Sequence, residues 1–182
     1  MKKSIRMDKP NQKTVKIKFQ SSLQLMDSTL WGAYIPVPSD IAQMCKQNDV
    51  SRFICTINHI LTTHSAIMPG GNDTYFILMN KANCKLLKLP FGSELNVEIE
   101  ADASTYGMPL CEEMQVLLEE DPDFFTHFQK LAPGKQRNLI YIINKPKSSE
   151  LRLRTAIAVA GHLIANKGKL DFKMLNEAIK NK

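Results

Sequence analysis

The chain has 182 residues and a formal net charge of +6, with 43% hydrophobic and 23% charged residues. That length and balance suit one domain with an appendage, or two small ones, and exclude wholesale disorder. No apolar run nears the roughly 20 residues of a membrane-spanning helix, and the basic residues Lys2, Lys3, Arg6 and Lys9 lead into no apolar stretch of the kind a signal peptide needs, so a cytoplasmic protein without membrane partners is expected.

Residues 1–13 are polar and aperiodic and read as a flexible basic tail. From Val15 the odd positions Ile17, Phe19, Leu23 and Leu25 are apolar and the even ones polar, which predicts one half-buried strand through Leu25. Trp31, Ala33, Ile35 and Val37 alternate up to Pro36 and Pro38, a strand that the prolines end or edge. Ser39 is placed to cap a short helix over 39–46.

The run beginning at Ser51 carries Phe53, Cys55, Ile57 and Leu61 on one parity and stops at Pro69-Gly70-Gly71-Asn72-Asp73. That turn signal, followed by the aromatic and aliphatic stretch Tyr75–Asn80, predicts a hairpin. The glycine-rich turn has neither the following helix nor the lysine of a phosphate-cradling loop. A helical turn or two fits Lys81–Leu87, and Leu95, Val97, Ile99 and Ala101 then alternate with Glu94, Asn96, Glu98 and Glu100 as a last strand with an acidic outer face.

After Tyr106-Gly107-Met108-Pro109 the apolar period becomes helical. Leu110, Met114, Leu117 and Leu118 form one stripe; Asp121-Pro122 caps and opens the next helix, whose face is Phe124, Phe125, Phe128 and Leu131. Pro133-Gly134 reads as a break. Helices are expected over 135–145 and 148–165, divided by Pro146, and a last one follows the cap Asp171. Strands first and helices after define an α+β protein. Its expected parts are a small closed β-barrel over 14–106 and an all-helical subdomain over 107–182.

The charge is segregated. Residues 1–20 hold seven Lys/Arg against Asp8, residues 21–134 hold six against fourteen acids, and residues 135–182 hold eleven against three. Two basic ends around an acidic middle imply either a face for phosphate-rich partners or ends that neutralise the middle. The dense acids Glu112, Glu113, Glu119, Glu120, Asp121 and Asp123 flank apolar helical positions, as on a solvated face.

Cys45, Cys55, Cys84 and Cys111 are irregularly spaced, with no Cys-x-x-Cys and no zinc-type cluster, so reduced thiols and no metal or other cofactor are expected. Lys81, Lys85 and Lys88 near Cys84 would favour its thiolate, but no general base accompanies it. His59 and His64, five apart, would fall on opposite faces of one strand and converge only across a hairpin bend, with no carboxylate at a ligand spacing. No catalytic set is visible. The residues available to bind a ligand are Trp31, Tyr34, His59 and His64. Those available to bind an anion or nucleic acid are Lys135, Arg137, Lys147, Arg152 and Arg154, of which Arg154 has a helical neighbour, Glu150, four positions before it.

Two ordered stretches resemble a family. F-I-C-T-I-N-H-I-L-T-T-H-S-A-I-M-P-G-G-N-D-T-Y-F-I-L-M-N-K, continuing to L-P-F-G-S-E-L-N-V-E-I-E, resembles a bacterial and archaeal domain of unknown function that accompanies the YdeI/OmpD-associated group. L-x2-D-P-x-F-F-x2-F-x2-L-x-P-G-K-Q-R and I-Y-I-I-N-K-P-K-S-S-E-L-R-L-R-T-A-I resemble that group's helical part. Family members often carry Gly at the position of His59, and a Gly-Asp turn where this chain has Gly92-Ser93. The resemblance implies a double-split β-barrel, the broad fold of AbrB/MazE/MraZ-type DNA-binding proteins, and implies no reaction.

Together these readings lead to an expected non-catalytic binding module for a small molecule or a protein, using a groove between barrel and helices. Nucleic-acid binding is the alternative. Oligomeric state is not written in the sequence.

Overall fold

The computed structural model describes residues 16–26 and 31–181; the tail expected at 1–13 lies outside them. The chain forms two compact units, Met1–Ala103 and Ser104–Lys182. Among the described residues there are two antiparallel four-stranded sheets and seven helices, an α+β protein.

In the first unit, β1 (Lys16–Ser22) lies antiparallel to β8 (Glu94–Ala101), with Ile17 opposite Ile99, Phe19 opposite Val97 and Lys18 opposite Glu98. The period-two pattern of both strands therefore keeps one register: apolar residues meet apolar residues inside, and lysines meet glutamates outside. On the other side of β8 lies β4 (Phe53–Ile57), which pairs with β5 (Leu61–Ser65), giving the order β1-β8-β4-β5.

The second sheet has the order β2-β3-β7-β6, built from β2 (Gln24–Leu25), β3 (Trp31–Val37), β6 (Ile67–Gly71) and β7 (Thr74–Asn80). Pro36 sits within β3, but two-residue β2 reaches only Tyr34 and Ala33, so Pro36 faces no β2 partner that would need its missing N–H. Its carbonyl instead accepts the Ser21 hydroxyl at 2.7 Å. The predicted hairpin forms, with Gly71 at the end of β6 and the turn residues Asn72 and Asp73 all in the left-handed region.

Two segments differ from their sequence expectation. The stretch through Leu25 is not one strand. At buried Leu23 the chain leaves the first sheet, with Leu23 N–H bonded to Ser93 and its carbonyl to Gly92, and enters the second. The corner breaks the parity, and Leu25 ends 63% exposed. The run from Ser51 folds twice, at left-handed Asn58-His59 between β4 and β5 and at Ala66 between β5 and β6, where it too changes sheets. The apolar parity survives the first fold, because Phe53, Cys55, Ile57 and Leu61 are all buried.

Both sheets contribute to one core containing Leu23, Ile35, Phe53, Ile77, Leu95 and Ile99. Each such side chain is worth about 1.5–3 kcal/mol on burial. Helix α1 (Ser39–Gln47) adds Ile41, Ala42 and Cys45. Ser39 does not cap it: Pro38 holds the cap position and the Ser39 hydroxyl donates to the Asp73 carbonyl at 2.6 Å. Helix α2 (Lys81–Leu87) is capped by Asn80, whose side chain accepts from Asn83 N–H at 2.8 Å.

The second unit is helical: α3 (Glu112–Glu120), α4 (Pro122–Gln129), α5 (Pro133–Asn144), α6 (Ser149–Ala165) and α7 (Phe172–Lys180). Its core is centred on α6, whose Ala156, Val159, Ala160 and Leu163 pack with Met114, Phe124, Phe128, Leu139, Ile140, Ile143 and Leu175. Asp121 and Asp171 cap α4 and α7 as the sequence predicts. Pro133-Gly134, expected as a break, opens α5 instead, since proline's fixed φ and missing N–H suit a first helical turn.

Candidate functional site

On the β unit the four predicted ligand residues do not gather. Trp31 begins β3 opposite Asn80, and its side chain lies outside the described residues. Tyr34 stands on the outer face of β3 and packs edge-on against Phe76, ring centres 5.7 Å apart. His59 is exposed in the β4–β5 turn, which the Asn58 side chain fixes by accepting Asn96 N–H at 2.8 Å. There it borders a surface groove of about 490 Å³ with Lys18, Gln20, Thr56, Asn96 and Glu98.

His64 lies toward the far end of β5, opposite Ile54, so the hairpin bend does not bring the two histidines together. Its Nδ1 meets the fully buried carboxylate of Asp102 at 2.7 Å. The sheet explains the meeting. Phe53 pairs with Ser65 on one side and Ala101 on the other, so His64 and Asp102 flank the start of β4. Nothing in a sequence separation of 38 signals this pair.

The acidic outer face of β8 is largely answered within the sheet. Glu98 receives both Lys16 and Lys18, which hold its carboxyl below the usual carboxylate range and raise Lys16 in return. Burial raises the Cys84 thiol, the opposite of the shift its lysine neighbours suggested. All four cysteines are free.

In the helical unit the predicted anion residues are partly committed. Arg152 grips Glu113 with two bonds, Nε to Oε2 at 2.8 Å and Nη2 to Oε1 at 3.0 Å, and donates through Nη1 to the Lys147 carbonyl at 3.0 Å. Those bonds, with one from Ser149, pull the Glu113 carboxyl down to about 2. Arg154 pairs with Glu150 at 2.7 Å, as their spacing predicts. Lys147 precedes α6, which starts at Ser149, and so shares no helical face with Arg154. Lys135 and Arg137 are exposed and half-buried, respectively, on α5.

The Glu113–Arg152 pair clamps the start of α3 against the start of α6, so both helices begin at the same end of a groove of about 370 Å³. Along it α3 presents Glu112, Val116 and Glu120, and α6 presents Ser149, Leu153 and Ile157, each set at the i, i+4, i+8 spacing of one helical face. Val116, Leu153 and Ile157 remain 50%, 50% and 47% exposed. The result is an aliphatic trough with carboxylates toward both ends of α3. Sequence reading saw these acids as a solvated face and missed the trough, because the facing stripe on α6 is set by packing. Among the described residues no three His, Cys, Asp or Glu side chains converge as a metal site requires, and no helix is long and apolar enough to cross a membrane.

These features define a two-unit α+β protein, its first unit of paired antiparallel sheets and its second of packed helices. Residues 19–99 match the Domain of unknown function (DUF1905), and residues 108–159 match the family described as Bacteriocin-protection, YdeI or OmpD-Associated. Both matches agree with the resemblance to the YdeI/OmpD-associated group and its N-terminal domain of unknown function. No curated protein and no solved structure matches it. Every residue lining the α3/α6 groove falls within the second matched segment.

Proposed function

We propose that this chain is a non-catalytic binding module whose working surface is the α3/α6 groove and whose partner is a polypeptide. The observation that carries this reading is the exposed trio Val116, Leu153 and Ile157, aligned on two helical faces that are held together by Glu113–Arg152. Large aliphatic side chains left in water along a concave surface mark a docking site more often than a solvated face. The family description speaks of bacteriocin protection, and a surface that meets another polypeptide suits such a role.

Binding to nucleic acid is the weaker reading, because Arg152 and Arg154 spend their charge on Glu113 and Glu150. We also infer that the two sheets close on each other as a double-split barrel: the chain crosses between them at Leu23 and Ala66, and their inner faces share one core. Four free thiols favour a reducing compartment, the cytoplasm of a bacterial cell.

The test is amide chemical-shift mapping of the labelled full chain with a panel of amphipathic helical peptides, random duplex DNA and single-stranded RNA. Shifts confined to residues around Val116, Leu153 and Ile157, induced by peptide, are expected. Shifts around Lys135 and Arg137, induced by nucleic acid with a steep salt dependence, would replace this reading with the other.

A further inference from the structure

We infer that the α3/α6 groove accepts a basic amphipathic helix from a partner polypeptide. The inference rests on the groove being a polypeptide-binding surface and adds what kind of segment enters it.

The form of the segment follows from the walls. Both walls are α-helices whose backbone groups bond within the helix, so the groove offers no free strand edge for an extended peptide to join. Recognition must run through side chains. The exposed apolar positions are Val116 on α3 and, four residues apart on α6, Leu153 and Ile157, a short stripe between two helices that suits the anchors of a third helix laid along the trough at i, i+3, i+4 and i+7. Nine-residue α3 is about 13 Å long, so two to three turns of the visitor are engaged.

The sign of the segment follows from the rim. From Glu112 to Asp123 the chain carries six acids and no Lys or Arg. Glu113 is neutralised by Arg152 and Asp121 caps α4, whereas among the described residues no Lys or Arg lies within ion-pair distance of Glu112 or Glu120. A neutral helix would cover Val116, Leu153 and Ile157 while taking water from the carboxylates at the rim without replacing it. An acidic helix would be repelled. Lysines or arginines flanking the apolar stripe would meet those carboxylates and speed association through complementary fields.

The probe is a fluorescein-labelled Lys/Leu peptide of about five turns with its leucines on one face. Two controls accompany it: one of the same composition with the leucines scattered, and one with Gln for every Lys. Anisotropy titrations on the full chain at low and at physiological salt should give the one-faced Lys/Leu peptide at least a tenfold lower Kd than either control. Glu112→Gln with Glu120→Gln should weaken it about fivefold and flatten its salt dependence. Leu153→Ser, at an exposed position that tolerates a polar side chain, should weaken it about tenfold.

If the Gln peptide binds as tightly as the Lys peptide, the basic character is overturned and the groove's role as a polypeptide site stands. If no peptide binds, or if all bind without regard to Leu153, both readings fall. Tighter peptide binding by the full chain carrying Lys2→Gln, Lys3→Gln and Arg6→Gln would make the chain's own basic end the occupant and overturn the partner.

Discussion

Glu113 and Arg152, 39 residues apart, meet through two parallel hydrogen bonds at 2.8 and 3.0 Å. The fork geometry of a guanidinium against a carboxylate fixes direction as well as distance, which a lysine in its place would not. It links the start of α3 to the start of α6 at one end of the groove between them, beside the core that Met114 shares with α6.

That pair should govern the acid limb of stability. The Glu113 carboxyl titrates near 2 in the folded protein against an ordinary value of 4.5. A depressed carboxyl contributes stability that is fully present above its unfolded value and is lost as pH falls through its folded one. Thermal melts should therefore show the transition temperature dropping between about pH 4.5 and about pH 2. Glu113→Gln should lower the melting temperature at neutral pH and flatten that drop. Parallel curves for variant and parent would show the pair to be idle.

His64→Ala removes a hydrogen-bond partner from the fully buried carboxylate of Asp102. Leaving such a group short of a partner costs about 1–3 kcal/mol, to be read from urea denaturation. His64→Gln, which can still donate, should recover part of the loss. A cost below about 0.5 kcal/mol would mean that the carboxylate is satisfied without the imidazole.

Thiol chemistry should sort the cysteines by burial. Burial pushes Cys55 up to about 12 and raises Cys45, Cys84 and Cys111 as well. Iodoacetamide at about pH 8 should label half-buried Cys84 and Cys111 slowly, and Cys45 and Cys55 only in denaturant. Rapid labelling of Cys84 by mass spectrometry would mean that its lysine neighbours outweigh burial after all.

Asp171 accepts the Lys173 and Met174 N–H groups at the start of α7. Asp171→Ala should cost about 1 kcal/mol and raise hydrogen exchange in α7 ahead of α6. Unchanged exchange there would assign the helix start to packing of Leu175 alone.

Local periodicity carried much of this structure. Leu95, Val97 and Ile99 announce β8 and its buried face, and Asp121-Pro122 and Asp171 announce helix starts, because each signal is complete within a few residues. Misreadings arose where a remote partner decides. Leu25 has the right parity for burial, yet the bend at Leu23 toward the second sheet exposes it. Ser39 has the right identity for a cap, yet the Asp73 carbonyl claims its hydroxyl. The same limit hid the site. Arg152 reads as a free cation until α3 brings Glu113 to it, and Glu112 and Glu120 read as a solvated face until α6 supplies Leu153 and Ile157 opposite the Val116 that lies between them.

The sheet order β1-β8-β4-β5 has a temporal side. β1 is the first described strand to leave the ribosome, but its partner in that sheet is β8, the last strand of the unit. Its Ile17 and Phe19 must wait while about eighty residues are translated before Ile99 and Val97 arrive to pair with them. The β4–β5 hairpin can close early, whereas β1 is sealed only by a long-range step that makes assembly slow. The lysines at 16 and 18, one residue to either side of Ile17, are charges of the kind that discourage mispairing of an open apolar strand, and in the folded unit both are taken up by Glu98.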